Sequence, residues 1–222
     1  MHRFLTLCCL CVISVLARAQ DPIATSGSAE QVPVLQVGDT WTHEQFDGLT
    51  GLSRGRTISR VKQVISGGYL LENEFDGNGG AASTRQGRLD AQLNPWPRNV
   101  GKRDEKAYEF PLAVGKVWSS EWSVEFEGQT VLQQMKRRVA ALERIQVPAG
   151  EFLAYRIEGE GRWSNPPWNG RLTETRWYAP RVKRAIKLIE EFRLPNGLPQ
   201  ESKRTELIRL DLVPTSTENN GR

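Results

Sequence analysis

Residues capable of catalysis are present in this chain, but each lacks the partners its chemistry requires. Gly51-Leu52-Ser53-Arg54-Gly55 has the spacing of a hydrolase nucleophile elbow, a strained strand-to-helix turn that presents a serine to a histidine further along the chain. His43 precedes this serine and no helical pattern follows it, so the stretch reads as the turn between "WTHEQF" and "TISRV". Gly77-Asn78-Gly79-Gly80-Ala81-Ala82 fits a loose dinucleotide pattern, whose glycines should open a helix onto a pyrophosphate. "STRQGRLD" follows it and is not amphipathic with helical period, so a loop is expected. Ser59 and Lys62 have a serine-lysine spacing but lie in a strand pattern, without the companion motifs of penicillin-recognising enzymes. His43 beside Glu44 would need distant partners to ligate a metal. Glu125 with Glu127, and Glu158 with Glu160, are two apart and share a strand face, whereas glycoside hydrolysis needs carboxylates facing each other across a cleft. No catalytic residue, metal ligand or cofactor is assigned on these grounds.

Binding residues are easier to nominate. "RWSNPPWNGR", Arg162 to Arg171, sets Trp163 and Trp168 around a proline pair with Asn165 and Asn169 beside them, and Trp96 in "NPWPR" has a comparable setting. Prolines stiffen a loop and tryptophans offer flat apolar faces, so these five residues could form a platform for a sugar ring or an acyl chain. The other use of such a loop is to fold its tryptophans over the open end of a core. Two basic runs, Lys136 to Arg138 and Arg181 to Arg184, could meet anionic lipid or lipopolysaccharide; the expectation is that they are solvated strand faces that protect sheet edges.

The elements that would carry these residues are strands. "TISRVKQVI", "SGGYLLENEF", "VLQQMKRRVAAL", "EFLAYRIEGEGRW" and "TELIRLDLV" favour a period of two over 3.6, with Leu153, Tyr155 and Ile157 expected on one face. Asn196-Gly197 between two such runs signals a hairpin, lengthened by Pro195 and Pro199. "VGDTW" (Val37 to Trp41) and "VGKVW" (Val114 to Trp118) open alternating runs 77 positions apart, and Arg60-Val61 and Arg138-Val139 follow at 78. The expected architecture is all-β: a duplicated antiparallel meander, with copies at about 35–97 and 112–195, forming a curved sheet, half-barrel or sandwich. In each lead-in the glycine permits a turn or bulge backbone, and the tryptophan behind it covers the core end of a strand.

Three further pieces, "FPLAVGKVW", "VPAGEFLAYRIE" and "WYAPRVKRAIK", stand in the same order as in a group of exported bacterial all-β proteins of unknown function, which the chain resembles from about Leu35 to Val213. The resemblance rests on Pro-Leu-x-x-Gly-x-x-Trp, Val-Pro-Ala-Gly-x-Phe and Trp-Tyr-x-Pro. It implies a curved antiparallel sheet or sandwich in the bacterial envelope, similar in shape to lipoprotein-carrier half-barrels, and it transfers no active-site residues.

The first residues point to export. A basic start, an uncharged apolar run from Phe4 to Leu16 and Ala17-Arg18-Ala19 make a cleavable signal over residues 1–19. Thirteen apolar residues are too few to span a bilayer, which takes about 20. All three cysteines lie inside the run, so the mature chain has no thiol chemistry. A lipoprotein processed at Cys8 or Cys11 ranks second, because leucine precedes each of them. A flexible linker is expected over 20–34, one all-β domain over 35–214 and a disordered tail over 215–222. Removing Arg3 and Arg18 with the signal leaves 28 Lys+Arg against 26 Asp+Glu, too balanced for a nucleic-acid partner, and no transmembrane segment remains in the mature chain. The functional expectation is a noncatalytic periplasmic or secreted protein that binds an apolar or amphiphilic envelope ligand (a lipid, for example) or an envelope protein. The alternative is a carbohydrate-active enzyme or carbohydrate-binding β-sandwich taking a glycan. The mature chain should begin at Gln20: intact-mass measurement of the exported protein is expected to give a 203-residue polypeptide, and a chain starting at an acylated cysteine would refute this.

Overall fold

The computed structural model describes residues 29–77, 82–96, 105–126 and 128–214. The export signal, most of the 20–34 linker, the 215–222 tail and the centre of the 77–82 glycine stretch lie outside the described residues. Ten strands form, β1 (Thr40–Asp47), β2 (Ser53–Ile65), β3 (Gly68–Asp76), β4 (Ser83–Asp90), β5 (Val117–Phe126), β6 (Gln129–Val147), β7 (Gly150–Asn165), β8 (Trp168–Ala179), β9 (Arg184–Arg193) and β10 (Pro199–Asp211). They make one antiparallel sheet in the order β4-β3-β2-β1-β10-β9-β8-β7-β6-β5. The fold is thus the all-β curved sheet expected, and it is open, with β4 and β5 as its edges. Among the described residues the one helical element is a short 3-10 turn, Pro180–Val182.

Curling of the sheet follows from a single hydrogen bond. The Ala149 N–H, at the tip between β6 and β7, donates to the Leu207 carbonyl of β10 at 3.1 Å. β6 and β10 are four places apart in the sheet, about 19 Å if it were flat at ~4.8 Å per strand, so the sheet must bend to bring them together. Register shifts at Val61/Gln63 in β2 and Val139/Ala141 in β6 add local twist. The alternation expected in β7 is also broken: Ala154 and Tyr155 are both buried, while Leu153 is exposed instead of sharing the core face.

The two lead-ins have the same geometry. Gly38 and Gly115 both take positive φ, 101° and 92°, which a residue with a Cβ adopts only at a cost. Gly38 N–H donates to Val61 O and Val61 N–H to Asp39 O; Gly115 N–H donates to Val139 O and Val139 N–H to Lys116 O. Trp41 and Trp118 then occupy the second positions of β1 and β5, both buried, and their indole N–H groups donate to the carbonyls of Val182 and Lys106, each at 2.8 Å. The "VPAG" turn joins Val147 to Gly150 at the β6–β7 tip, and Asn196-Gly197 turns β9 into β10.

A long connection supplies the other half of the core. β4 and β5 lie at opposite edges, and the described parts of the connection between them, 91–96 and 105–116, lie on the concave face. Leu93, Ala107, Tyr108, Phe110 and Leu112 from this crossing pack against Trp41, Val61, Trp118, Val139, Ile157, Tyr178 and Leu207 of the sheet. Asn94 fastens it to itself: its Nδ2 donates to Tyr108 O at 3.1 Å and its Oδ1 accepts the Tyr108 N–H at 2.8 Å. Phe110 and Tyr178 meet Tyr108 at ring-centroid distances of 5.7 and 5.2 Å. The end of the stretch expected as a linker also joins in, since Glu30 pairs with Leu112 and Val32 packs on the core. A second, smaller core of Trp122, Met135, Trp163 and Leu172 lies toward the far ends of β5 to β8.

Because Trp41 and Trp118 each combine burial with a filled indole hydrogen bond, Trp41→Ala and Trp118→Ala should each destabilise the protein by about 3–5 kcal/mol. Trp168→Ala, at an exposed position, should stay within about 0.5 kcal/mol. Urea denaturation of the three variants checks this, and equal losses at all three would contradict it.

Candidate functional site

Charge is built into the inward face of the sheet where alternation would place apolar side chains. Arg137 follows Met135 and precedes Val139 on the inner side of β6, and Glu174 lies between Leu172 and Arg176 on the inner side of β8. Arg137 is fully buried and all five of its donors are used. Nε and one Nη donate to the two Glu174 oxygens at 3.2 Å, the same Nη reaches Glu105 Oε1 at 2.8 Å, and the other bonds Lys106 O and Ser120 Oγ at 3.1 Å. Arg176 grips the same two Glu174 oxygens at 3.1 Å. Gly159, opposite Arg137, leaves the necessary room, since a Cβ there would stand 2.5 Å from Met135 Sδ. Burial alone would raise the Glu174 pKa, but Arg176 and Arg137 outweigh it and hold the carboxyl at about 2. Glu190, opposite Glu174 on β9, is pushed up instead, by burial first and then by the Glu174 charge.

Beside this network the concave face holds a cavity of about 390 Å³ between the crossing and strands β1, β2, β3, β9 and β10. Phe75, Leu89, Leu93, Pro95, Tyr108 and Leu188 form its apolar lining; Gln45, Thr57, Ser59 and Thr205 add neutral polar groups. Arg54, Arg56, Arg176, Lys183, Arg184 and Lys187 bring positive charge and Asp76 a negative one; Arg54 pairs with Asp47 and Glu201, and Arg56 with Glu44 at 3.8 Å. The Arg184 guanidinium lies 5.0 Å from the centre of the Trp41 ring. Leu89, Pro95 and Arg184 also border an adjoining recess, whose rim carries Trp96. His43, half-buried in the cavity wall, donates from Nε2 to Ala185 O at 2.9 Å. Burial, and then the Arg184 charge, lower its pKa to about 4 against the pull of that hydrogen bond, so the imidazole is neutral at pH 7.

The five residues nominated from sequence are distributed over two places. Trp96 borders the recess next to Arg184. "RWSNPPWNGR" is a strand hairpin and not a loop: Asn165 pairs with Trp168 and Ser164 with Asn169. Trp163 is 7% exposed within the smaller core, and Trp168 is 66% exposed at the tip. Asn165 Nδ2 donates to Gln129 Oε1 at 2.6 Å. The basic runs depart from the solvated faces expected of them, because Arg137 is buried in the charge network and Arg184 borders the cavity. Glu174 and Arg176 were not nominated, and Arg137 and Arg184 were read only as members of basic runs expected to be solvated. Their signal was available in part: ionisable residues of opposite sign standing in the apolar phase of alternating strands.

Glu174→Gln removes the one charge shared by two buried guanidiniums and should cost about 3–5 kcal/mol, read by urea denaturation at pH 7. The pH dependence of wild-type stability has a defined sign. His43 has a lower pKa folded than unfolded, so its contribution is complete above pH 6.5 and is lost as the pH falls toward about 4. Glu174 is likewise held low, so its contribution is complete above about pH 4.5 and is lost toward about 2. Thermal melts should therefore show a loss of order 1–3 kcal/mol between pH 6.5 and 4.5 that is much reduced in His43→Gln; an unchanged pH profile in that variant would show that another group is responsible.

No protein-family model matches the chain, and no curated protein matches it. Among solved structures it is similar to a protein described as a lipoprotein from Parabacteroides distasonis ATCC 8503, with TM-score 0.52 and 12% identity over 83% of this chain and 100% of that one. A protein described as exported, with a YmcC-like fold, from Bacteroides fragilis NCTC 9343 gives TM-score 0.49 and 14% identity over 83% and 100%. The hypothetical lipoprotein YmcC from Escherichia coli K12 gives 0.43 and 12% over 80% and 86%. At these identities the likeness to the Parabacteroides protein concerns the fold alone: an open antiparallel sheet followed over the whole length of that protein.

Proposed function

We propose that this is a noncatalytic protein of the bacterial envelope, periplasmic or secreted, that holds an amphiphilic ligand in the cavity of its concave face. One observation carries the reading: the concave face holds a cavity whose wall combines apolar side chains with guanidinium groups. Its volume falls in the ~300–1,000 Å³ range of small-molecule sites. The ionisable groups around it are committed to structure in ways that suit binding better than acid-base work, since Glu174 is clamped by two arginines and His43 is held neutral by burial and by a neighbouring cation. The export signal supports an envelope location, as does a fold shared with a protein described as a lipoprotein. The matched hydrogen bonds of the two lead-ins support the reading of the sheet as a duplicated meander.

The carbohydrate alternative would have to use Trp168, Asn165 and Asn169 at the exposed hairpin tip, without the buried Trp163. Native mass spectrometry of the protein purified from its own envelope separates the two readings. A retained lipid-like mass, lost when Leu89→Arg closes the apolar side of the cavity, is the expected result. A retained glycan sensitive to Trp168→Ala would favour the alternative.

A further inference from the structure

Arg184 is the charged group of the cavity whose position the fold does not explain. Its Nη1 is buried and has no hydrogen-bond partner, and among the described residues no carboxylate lies within ion-pair distance of it. The neighbouring cations are all matched: Arg176 by Glu174, Lys183 by Asp39 at 3.0 Å and Lys187 by Glu206 at 3.1 Å. The groups around Arg184 hold it without neutralising it: the face of Trp41 lies against it, and the neutral His43 lines the same cavity. A lysine so placed could shed its proton, but a guanidinium keeps its charge. Arg184 as a whole is half-buried, and an unpaired charge withdrawn in part from water is costly unless an anion meets it.

Resting on the cavity reading above, we propose that Arg184 anchors the anionic head group, carboxylate or phosphate, of a single-chain amphiphile whose tail lies along the apolar side of the same cavity. Placement supports the pairing of head and tail: Arg184 borders both the cavity and the adjoining recess, and the apolar side chains of Leu89 and Pro95 border the same two spaces. Size favours one chain. At about 390 Å³ the cavity lies at the small end of the ~300–1,000 Å³ range of small-molecule sites, which suits a short tail with its head group. Charge selects the sign of the head group, because Arg184 is, among the described residues, the cation of the cavity wall without a carboxylate in ion-pair distance, and its guanidinium fork suits carboxylate or phosphate oxygens.

Titration calorimetry of the purified protein with decanoate, decyl phosphate, 1-decanol and inorganic phosphate, all below micelle-forming concentrations, tests this. Decanoate, decyl phosphate or both should bind about tenfold or more tightly than decanol, and inorganic phosphate should bind far more weakly than decyl phosphate. Arg184→Gln should bring the anions down to the affinity of decanol and leave decanol binding unchanged. Its melting temperature should be no lower than that of the wild type, because the variant removes an unpaired charge. Arg184→Lys should keep a reduced preference for the anions, and it decides the matter should Arg184→Gln not fold. Equal affinity for decanol and the anions, unchanged anion binding by Arg184→Gln, or inorganic phosphate binding as tightly as decyl phosphate would each overturn the head-group assignment while leaving the cavity reading intact. If decanol, decanoate and decyl phosphate all fail to bind, the cavity reading itself falls.

Discussion

β4 and β5 lie at opposite edges of one open sheet, so the chain joining them has to traverse that sheet, and most of the interior follows from this crossing. A single sheet with one apolar face must cover it with something. With no second sheet among the described residues, segments 91–96 and 105–116 of the connection provide cover, delivering Leu93, Tyr108, Phe110 and Leu112 onto the inward side chains of strands that are far apart in sequence. An irregular segment brings backbone groups into the core that cannot be left unpaired. Asn94, Gln92, Arg137 and the Trp118 indole answer that demand by bonding the main chain of residues 106, 108 and 110. The cavity lies between these segments and the strands of the sheet.

Buried charge appears on this face in two forms with different physical meanings. Arg137, Arg176, Glu174 and Glu105 form a balanced cluster in which the guanidinium of Arg137 has no donor to spare. Such a cluster offers little net stability over an apolar replacement, but it punishes the loss of any one member, and it ties the crossing to both β6 and β8 at one point. It also separates the main core from the smaller core around Trp122 and Trp163. Arg184 is the opposite case, a cation supported by an aromatic face and left without a counter-charge. Departures from local consistency are expected at functional or strained sites, so the proposed ligand site rests on this unpaired charge more than on the volume of the cavity.

Strand content was legible because alternation is local. A run such as "TELIRLDLV" shows its inward face without knowledge of its neighbours, and glycines that need positive φ marked the lead-ins at Gly38 and Gly115 and the turn at Gly197. The tryptophans of the lead-ins were readable for the same reason. Trp163 and Trp168 were not: five residues apart around two prolines they look equivalent, yet one belongs to a core and the other to an exposed hairpin tip. That difference depends on Trp122, Met135 and Leu172 arriving from three other strands.

By itself, then, the sequence determined a chain of antiparallel strands and the local geometry of its turns, both of which depend on residues within a few positions of one another. Tertiary structure alone decided which charges face inward to partners and which do not. The arginines of "KRR" and "RVKR" look alike as solvated basic runs, but Arg137 meets a glutamate 37 residues away across the sheet while Arg184 meets the face of Trp41. Alternation says which side of a strand a residue is on, but only the order of the strands and the path of the crossing say what stands opposite it.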